Sequence, residues 1–163
     1  MQLTRTTDAL AQVKTKQATL TLNDGITIKP DASVGSGAKT LPGPGEYEVA
    51  DIFAEVSPDL AHFHAEDLTL AYLGHRKRAV TDDELGDLEN VDVLLVAVDS
   101  ENPDELAAIT KLTAAIEPRI IVLIGADPTT FAKLRGTPPE VVETLKLSRK
   151  ELPEEESLAY ILK

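Results

Sequence analysis

A mixed α/β (α+β) fold, with an antiparallel meander at the amino-terminal end and βαβ units in the C-terminal half, is predicted by three features of this 163-residue sequence. Apolar and polar residues alternate from Ala9 to Ile28 around Asn23-Asp24-Gly25, the turn chemistry of a tight hairpin. Beyond residue 80, helix-start signals alternate with apolar runs of strand length. One such run, Ile120-Ile121-Val122-Leu123-Ile124, is continuous and mostly β-branched, the composition of a strand covered on both faces.

The elements follow in order. Leu10, Val13, Leu20, Leu22, Ile26 and Ile28 mark short antiparallel strands. From Lys29 to Gly45 no period survives, and the glycines and prolines that crowd its end predict a loop. Strand composition returns from Glu46 to Val56 and from Ala61 to Leu73, broken by Ser57-Pro58-Asp59 and by the turn at Ala65-Glu66-Asp67. Thr81-Asp82-Asp83-Glu84 is a capping box: the threonine hydroxyl and the glutamate carboxylate satisfy amide donors left unpaired at a helix start. A strand follows at Val91 to Val98. Asn102-Pro103-Asp104-Glu105 opens a second helix, with Leu106, Ile109, Leu112 and Ile116 striped along one face. After the Ile120 strand, Asp127-Pro128 opens a short helix ending near Gly136. Leu145-Lys146-Leu147 and Leu158 to Leu162 are closing strands joined by the acidic turn from Glu151 to Glu156.

Length and composition bound the function. One domain spanning 1–163 is expected, since a chain of this size buries most of its apolar surface around one core. The absence of cysteine excludes disulfides, thiolate metal sites and cysteine nucleophiles. No apolar run approaches the roughly 20 residues needed to cross a bilayer, and Met1-Gln2-Leu3-Thr4-Arg5 is unlike a secretory signal, so no membrane association and a cytoplasmic location are expected. A formal charge of −12 opposes binding to a phosphate backbone. The only compact basic cluster, His75-Arg76-Lys77-Arg78, lacks interleaved aromatics and reads as a solvated turn.

Pro42-Gly43-Pro44-Gly45-Glu46-Tyr47-Glu48-Val49, followed by Ile52-Phe53, resembles the PGEYE signature of a bacterial and archaeal branch of metallo-β-lactamase-fold proteins. Leu73-Gly74, Val80-Thr81-Asp82-Asp83-Glu84-Leu85, Asn90-Val91-Asp92-Val93-Leu94-Leu95-Val96, Pro118-Arg119-Ile120-Ile121-Val122 and Leu145 to Pro153 occur in that branch's order. The resemblance covers most of the chain from Leu41 onward. It implies a shortened metallo-β-lactamase-like αββα sandwich.

The branch's hydrolysis rests on a His-x-His-x-Asp-His loop, an aspartate after the Leu-Gly step and a histidine closing the strand before the last helices, because two divalent metals need converging ligands. This chain departs at each. The stretch from Ile28 to Pro42 holds no histidine and is too short for the missing strand, loop and helix; His75 takes the aspartate position; and Gly125-Ala126 follows the Ile120 strand. A non-catalytic, metal-free relative with a binding or assembly role is therefore expected, with no catalytic residue, cofactor or metal. The alternative is a metal-dependent hydrolase holding zinc or manganese at a relocated site of His62, His64, His75 and Asp67. His62-Phe63-His64 places two imidazoles on one strand face, and Glu66 is a further donor nearby. The plainer expectation turns Phe63 to the core and leaves His62 and His64 in solvent. Gly35-Ser36-Gly37 and Gly43-Pro44-Gly45 offer backbone amides to an anion, but neither stands between a strand and a helix, and Glu46 and Glu48 read as solvated strand residues.

Loss of a strand and helix should bare apolar sheet or an unpaired edge. A homodimer covering it through Leu10, Val13, Leu20 and Leu22 is the expected form of homo-oligomer.

Overall fold

The structure is a computed structural model that describes residues 1–7, 9–75, 80–98 and 103–163, with backbone only at residues 9, 75 and 103. The Asn102 cap and the Arg76-Lys77-Arg78 cluster lie outside the described residues, as does the side chain of His75.

Two sheets face each other. The first, sheet A, is antiparallel throughout. It is built from β1 (Gln2–Thr6), β2 (Ala9–Lys14), β3 (Ala18–Leu22), β4 (Ile26–Pro30), β5 (Lys39–Thr40) and β13 (Thr144–Lys146), in the order β13-β1-β2-β3-β4-β5. The second, sheet B, begins with β6 (Gly45–Val49), β7 (Ile52–Ser57), β8 (Leu60–Ala65) and β9 (Leu68–His75), antiparallel neighbours in sequence. It then turns parallel through β10 (Val93–Ala97), β11 (Ile120–Ile124), β14 (Leu158–Leu162) and β12 (Glu140–Val142). Its order is β12-β14-β11-β10-β9-β8-β7-β6. The helices are α1 (Asp82–Asp87), α2 (Pro103–Ile116) and α3 (Pro128–Arg135).

Period-two alternation sends one set of side chains from each sheet inward. Leu3, Val13, Leu20, Leu22 and Ile28 from sheet A meet Ala54, Phe63, Leu70, Val93, Leu95 and Val122 from sheet B in one core. The outward residues of β10 and β11, Leu94, Val96, Ile121 and Leu123, are also buried, because Leu106 and Ile109 of α2 and Phe131 of α3 cover them in a second core. This double burial is why both strands read as unbroken apolar runs.

The helix signals act as predicted. Thr81 accepts from the Glu84 amide while the Glu84 carboxylate accepts from the Thr81 amide, completing the capping box of α1. Asp127 accepts from the Thr130 amide at 2.7 Å, and Gly136 ends α3 in the left-handed region at φ 83°.

Several expectations need correction. Val13, Leu20 and Leu22 cannot form a dimer surface: they are at most 1% exposed, inside the core between the sheets, and Leu10 packs against that core. No described helix covers the outer face of sheet A, yet that face is polar, carrying Gln12, Lys14, Thr19, Thr21 and Lys29, none of them buried. Missing cover has therefore not bared apolar sheet, because alternation had already turned the apolar residues inward. The stretch from Lys29 to Gly45 is not all loop, since Lys39–Thr40 pairs with Ile28 and Thr27 as the edge strand of sheet A. Glu46 to Val56 is two strands, reversed at Ala50 and Asp51, both at positive φ. The closing strands join different sheets: β13 pairs with β1, and β14 lies between β11 and β12.

Among the described helices none is long and apolar enough to cross a membrane.

Candidate functional site

The parallel strands β9, β10 and β11 finish at one end of the sandwich, where ligands gather in sheets of this kind. At the end of β11 the described chain sets backbone against backbone. Gly125 follows β11 at φ +83°, and a Cβ there would lie 2.7 Å from the Val98 carbonyl oxygen, so a side chain is opposed twice, by the left-handed backbone and by contact. Val98 in turn donates its amide to the Ile124 carbonyl at 2.8 Å, which holds the two strand ends together. The next residue, Ala126, is buried in the helix-side core.

Beside this end lies a cleft of about 310 Å³, lined by the Asn23-Asp24-Gly25 turn, Gly43-Pro44, the Ser57-Pro58-Asp59 turn and Tyr72 to Gly74. Tyr72 is buried and donates its hydroxyl to the Asn23 carbonyl at 3.1 Å; burial first, and the Asp24 carboxylate second, push its phenol up to about 12. The Asn23 side chain accepts from the Leu10 amide at 2.8 Å, tying the turn to sheet A. Tyr47 donates to the Gly43 carbonyl at 2.8 Å, so the Pro42 to Val49 signature fastens its own loop. A second cleft, of about 490 Å³, lies beside β12 and β14, past Arg135, Glu140, Glu156 and Tyr160.

The histidines predicted as a relocated site are spread along β8 and β9. His62 and His64 share the outer face of β8, while Phe63 between them is buried in the core, as expected. His64 is exposed, with Nδ1 3.4 Å from the Thr69 hydroxyl and its ring centroid 6.1 Å from that of Phe53. His62 departs from the expectation of a solvated residue. It is only 8% exposed, and among the described residues its Nε2 has no hydrogen-bond partner. Burial holds its pKa below 6.5; Glu55 and Asp87 pull it upward, and His64 lowers it further. It is buried because Ala71 beside it belongs to the part of the sheet that lies under the helical layer.

Asp67 stands just before β9 and His75 at its far end, about 26 Å apart at the usual rise per strand residue, so the fold does not bring them to one ion. Glu66 is engaged elsewhere: its carboxylate meets the Met1 amino group at 2.6 Å and the Lys16 amide at 2.5 Å, tying the β8–β9 hairpin to sheet A. Burial would raise its pKa, but the hydrogen bond from the amino group and the one from Lys16 outweigh that and lower it.

Sequence reasoning missed a polar group with several partners. Asp92, 4% exposed, accepts from the Thr69 amide at 3.0 Å and holds Arg149 Nη1 at 2.8 Å from both its oxygens, with Arg119 Nε at 3.7 Å. It joins the starts of β9, β10 and β11 to the turn at Arg149–Glu151. Its place directly before the apolar run of β10 was the available signal, since a carboxylate there needs a partner.

A family model described as the beta-lactamase superfamily domain matches residues 60–124, from β8 to the end of β11. The crystal structure of a Thermotoga maritima protein, described as a candidate Zn-dependent hydrolase of the metallo-beta-lactamase superfamily, matches with a TM-score of 0.63 at 16% identity, over 86% of this chain and 96% of that one. No curated protein matches the chain. The fold is that of the metallo-β-lactamase superfamily, in a form with two sheets and a helical layer described on one of them.

That fold implies divalent metal ions, and the described residues do not fit them. Among the described residues no three His, Asp or Glu side chains converge as a metal site would require. At the end of β11 a ligand is opposed by the Val98 carbonyl.

Proposed function

We propose that this metallo-β-lactamase-like chain is a non-catalytic relative that acts by binding or assembly, in the cytoplasm, with the metal-dependent step of the superfamily given up. The observation that carries the reading is Gly125. A histidine there would need a left-handed backbone and would press its Cβ against the Val98 carbonyl, so the strand end is built for backbone and not for a ligand. The separation of Asp67 from His75 along β9 supports the same reading.

Metal content by elemental mass spectrometry tests it, on untagged protein exposed to zinc and manganese and then desalted. A stoichiometry near zero is expected. One or more metal ions held per chain, and lost in the His62→Ala/His64→Ala variant, would overturn the reading in favour of a hydrolase with a relocated site. The homodimer stays a proposal with a different surface from Val13, Leu20 and Leu22, and light scattering at micromolar concentration measures it: a monomer mass removes it.

A further inference from the structure

Two rows of side chains cross the outer face of sheet B and pass from covered to bare. In one row Glu46, Glu55, His62, Ala71, Leu94 and Ile121 stand side by side across successive strands. Leu94 and Ile121 lie under the helices at 0–1% exposure, whereas Glu46 and Glu55 are exposed. In the adjoining row Glu48, Phe53, His64 and Thr69 are neighbours, and Phe53 is 39% exposed with His64 against its ring. The apolar contacts of the helical layer reach β9 at Ala71 and Leu73 and only the first residue of β8, Leu60. A sheet face with three carboxylates around an exposed aromatic ring is thus left next to a face that is fully packed.

His62 marks the border between the two. It is more than nine-tenths buried, on this same outer face, and among the described residues its Nε2 has no partner. Rotamer changes of exposed side chains are common at interfaces, so a partner docked on this face can bring a polar group to that nitrogen.

We propose that this face docks a basic segment of a partner protein, with lysine or arginine side chains meeting Glu46, Glu48 and Glu55, an apolar side chain covering Phe53, and a polar group supplied to His62. An aromatic anchor within a charged rim is the usual anatomy of such a contact. Charge decides the class of occupant. A second copy of this chain, at net charge −12, would set the same carboxylates against each other across a two-fold axis, whereas a cationic segment is steered toward them. The inference rests on the binding reading above and names its surface and the chemistry of its partner.

The probe is a fluorescent peptide of alternating lysine and valine with one central phenylalanine, titrated into the full chain at physiological salt and read by anisotropy. Glu46→Gln/Glu48→Gln/Glu55→Gln should weaken binding tenfold or more, and Phe53→Ser severalfold. Glu154→Gln/Glu155→Gln/Glu156→Gln, which removes the same charge from the acidic turn before β14, should change it less than twofold; equal melting temperatures would certify both variants as folded. Equal weakening by the two triple variants would reduce the contact to net charge and overturn the proposal, as would no binding at millimolar peptide. A dimer that Phe53→Ser dissociates would overturn it in favour of a second copy. These failures leave the metal-free reading standing, whereas bound metal would remove that reading whatever the peptide does.

Discussion

Removal of the Asp92 carboxylate tests how the starts of β9, β10 and β11 are held. Asp92→Ala takes away the acceptor of the Thr69 amide and the common partner of Arg149 and Arg119, in a position whose side chain is 5% exposed. Hydrogen bonds to a charged group are worth about 1.5–3 kcal/mol each. The arginines discount that figure, since their side chains are 56% and 44% exposed and return to water when the carboxylate goes. The amide of Thr69 has no such escape within the sheet. The sum is a loss of about 2–4 kcal/mol, which for a chain of this size lowers the melting temperature by roughly 5–12 °C. Urea unfolding should give the same loss with an unchanged slope. Arg149→Ala should destabilise less, and the double variant should show a coupling of about 1 kcal/mol. An Asp92→Ala protein within about 0.5 kcal/mol of the parent, or no coupling to Arg149, would refute the view of Asp92 as the tie between these strands and would make it a surface carboxylate in effect.

Two further outcomes follow from the same geometry. Gly125→Ala should destabilise by about 2–4 kcal/mol, from the left-handed backbone together with the Val98 contact, whereas Gly25→Ala, with open space around its Cβ position, should fall within about 1 kcal/mol; chemical denaturation of both measures the difference, and equal effects would remove the argument from Gly125. His62 has a lowered pKa, so its unfolded form binds the proton more readily: its contribution is complete above about pH 6.5 and is lost as the pH falls through the folded value, and His62→Leu should flatten the stability curve in that acidic window.

The parts of the fold legible in the sequence are those written in local patterns. β10, α2 and β11 carry their own evidence in unbroken apolar runs and a striped helix, and the Thr81 capping box needs only four residues to be recognised. β1 escaped because Leu3 is its only fully buried residue and its neighbour β13 comes from the far end of the chain. β12 has three residues and no apolar period. The reversal at Ala50-Asp51 uses positive φ without a glycine or proline, so Asp51 alone was its turn signal. At the site, alternation placed His62 and His64 on one face of β8 correctly, but burial of His62 depended on where the helical layer stops, which is a tertiary fact. The dimer surface failed for a related reason: alternation says which residues share a face of a strand but not which face points inward.

The contact of Met1 with Leu147, 146 residues apart in sequence, ties the first strand of sheet A to a segment near its last. During synthesis, most of sheet A would leave the ribosome early, with one edge still waiting for β13. The hairpins of β2, β3 and β4 close over short loops and form quickly, whereas β1 must wait until Thr144–Lys146 have emerged before its second neighbour exists. In that interval the inward apolar face of sheet A also lacks the parallel half of sheet B. Growing chains of this protein therefore pass through a period in which a half-built sandwich is open to chaperones or to other nascent chains, and the emergence of β13 and β14 is what ends it.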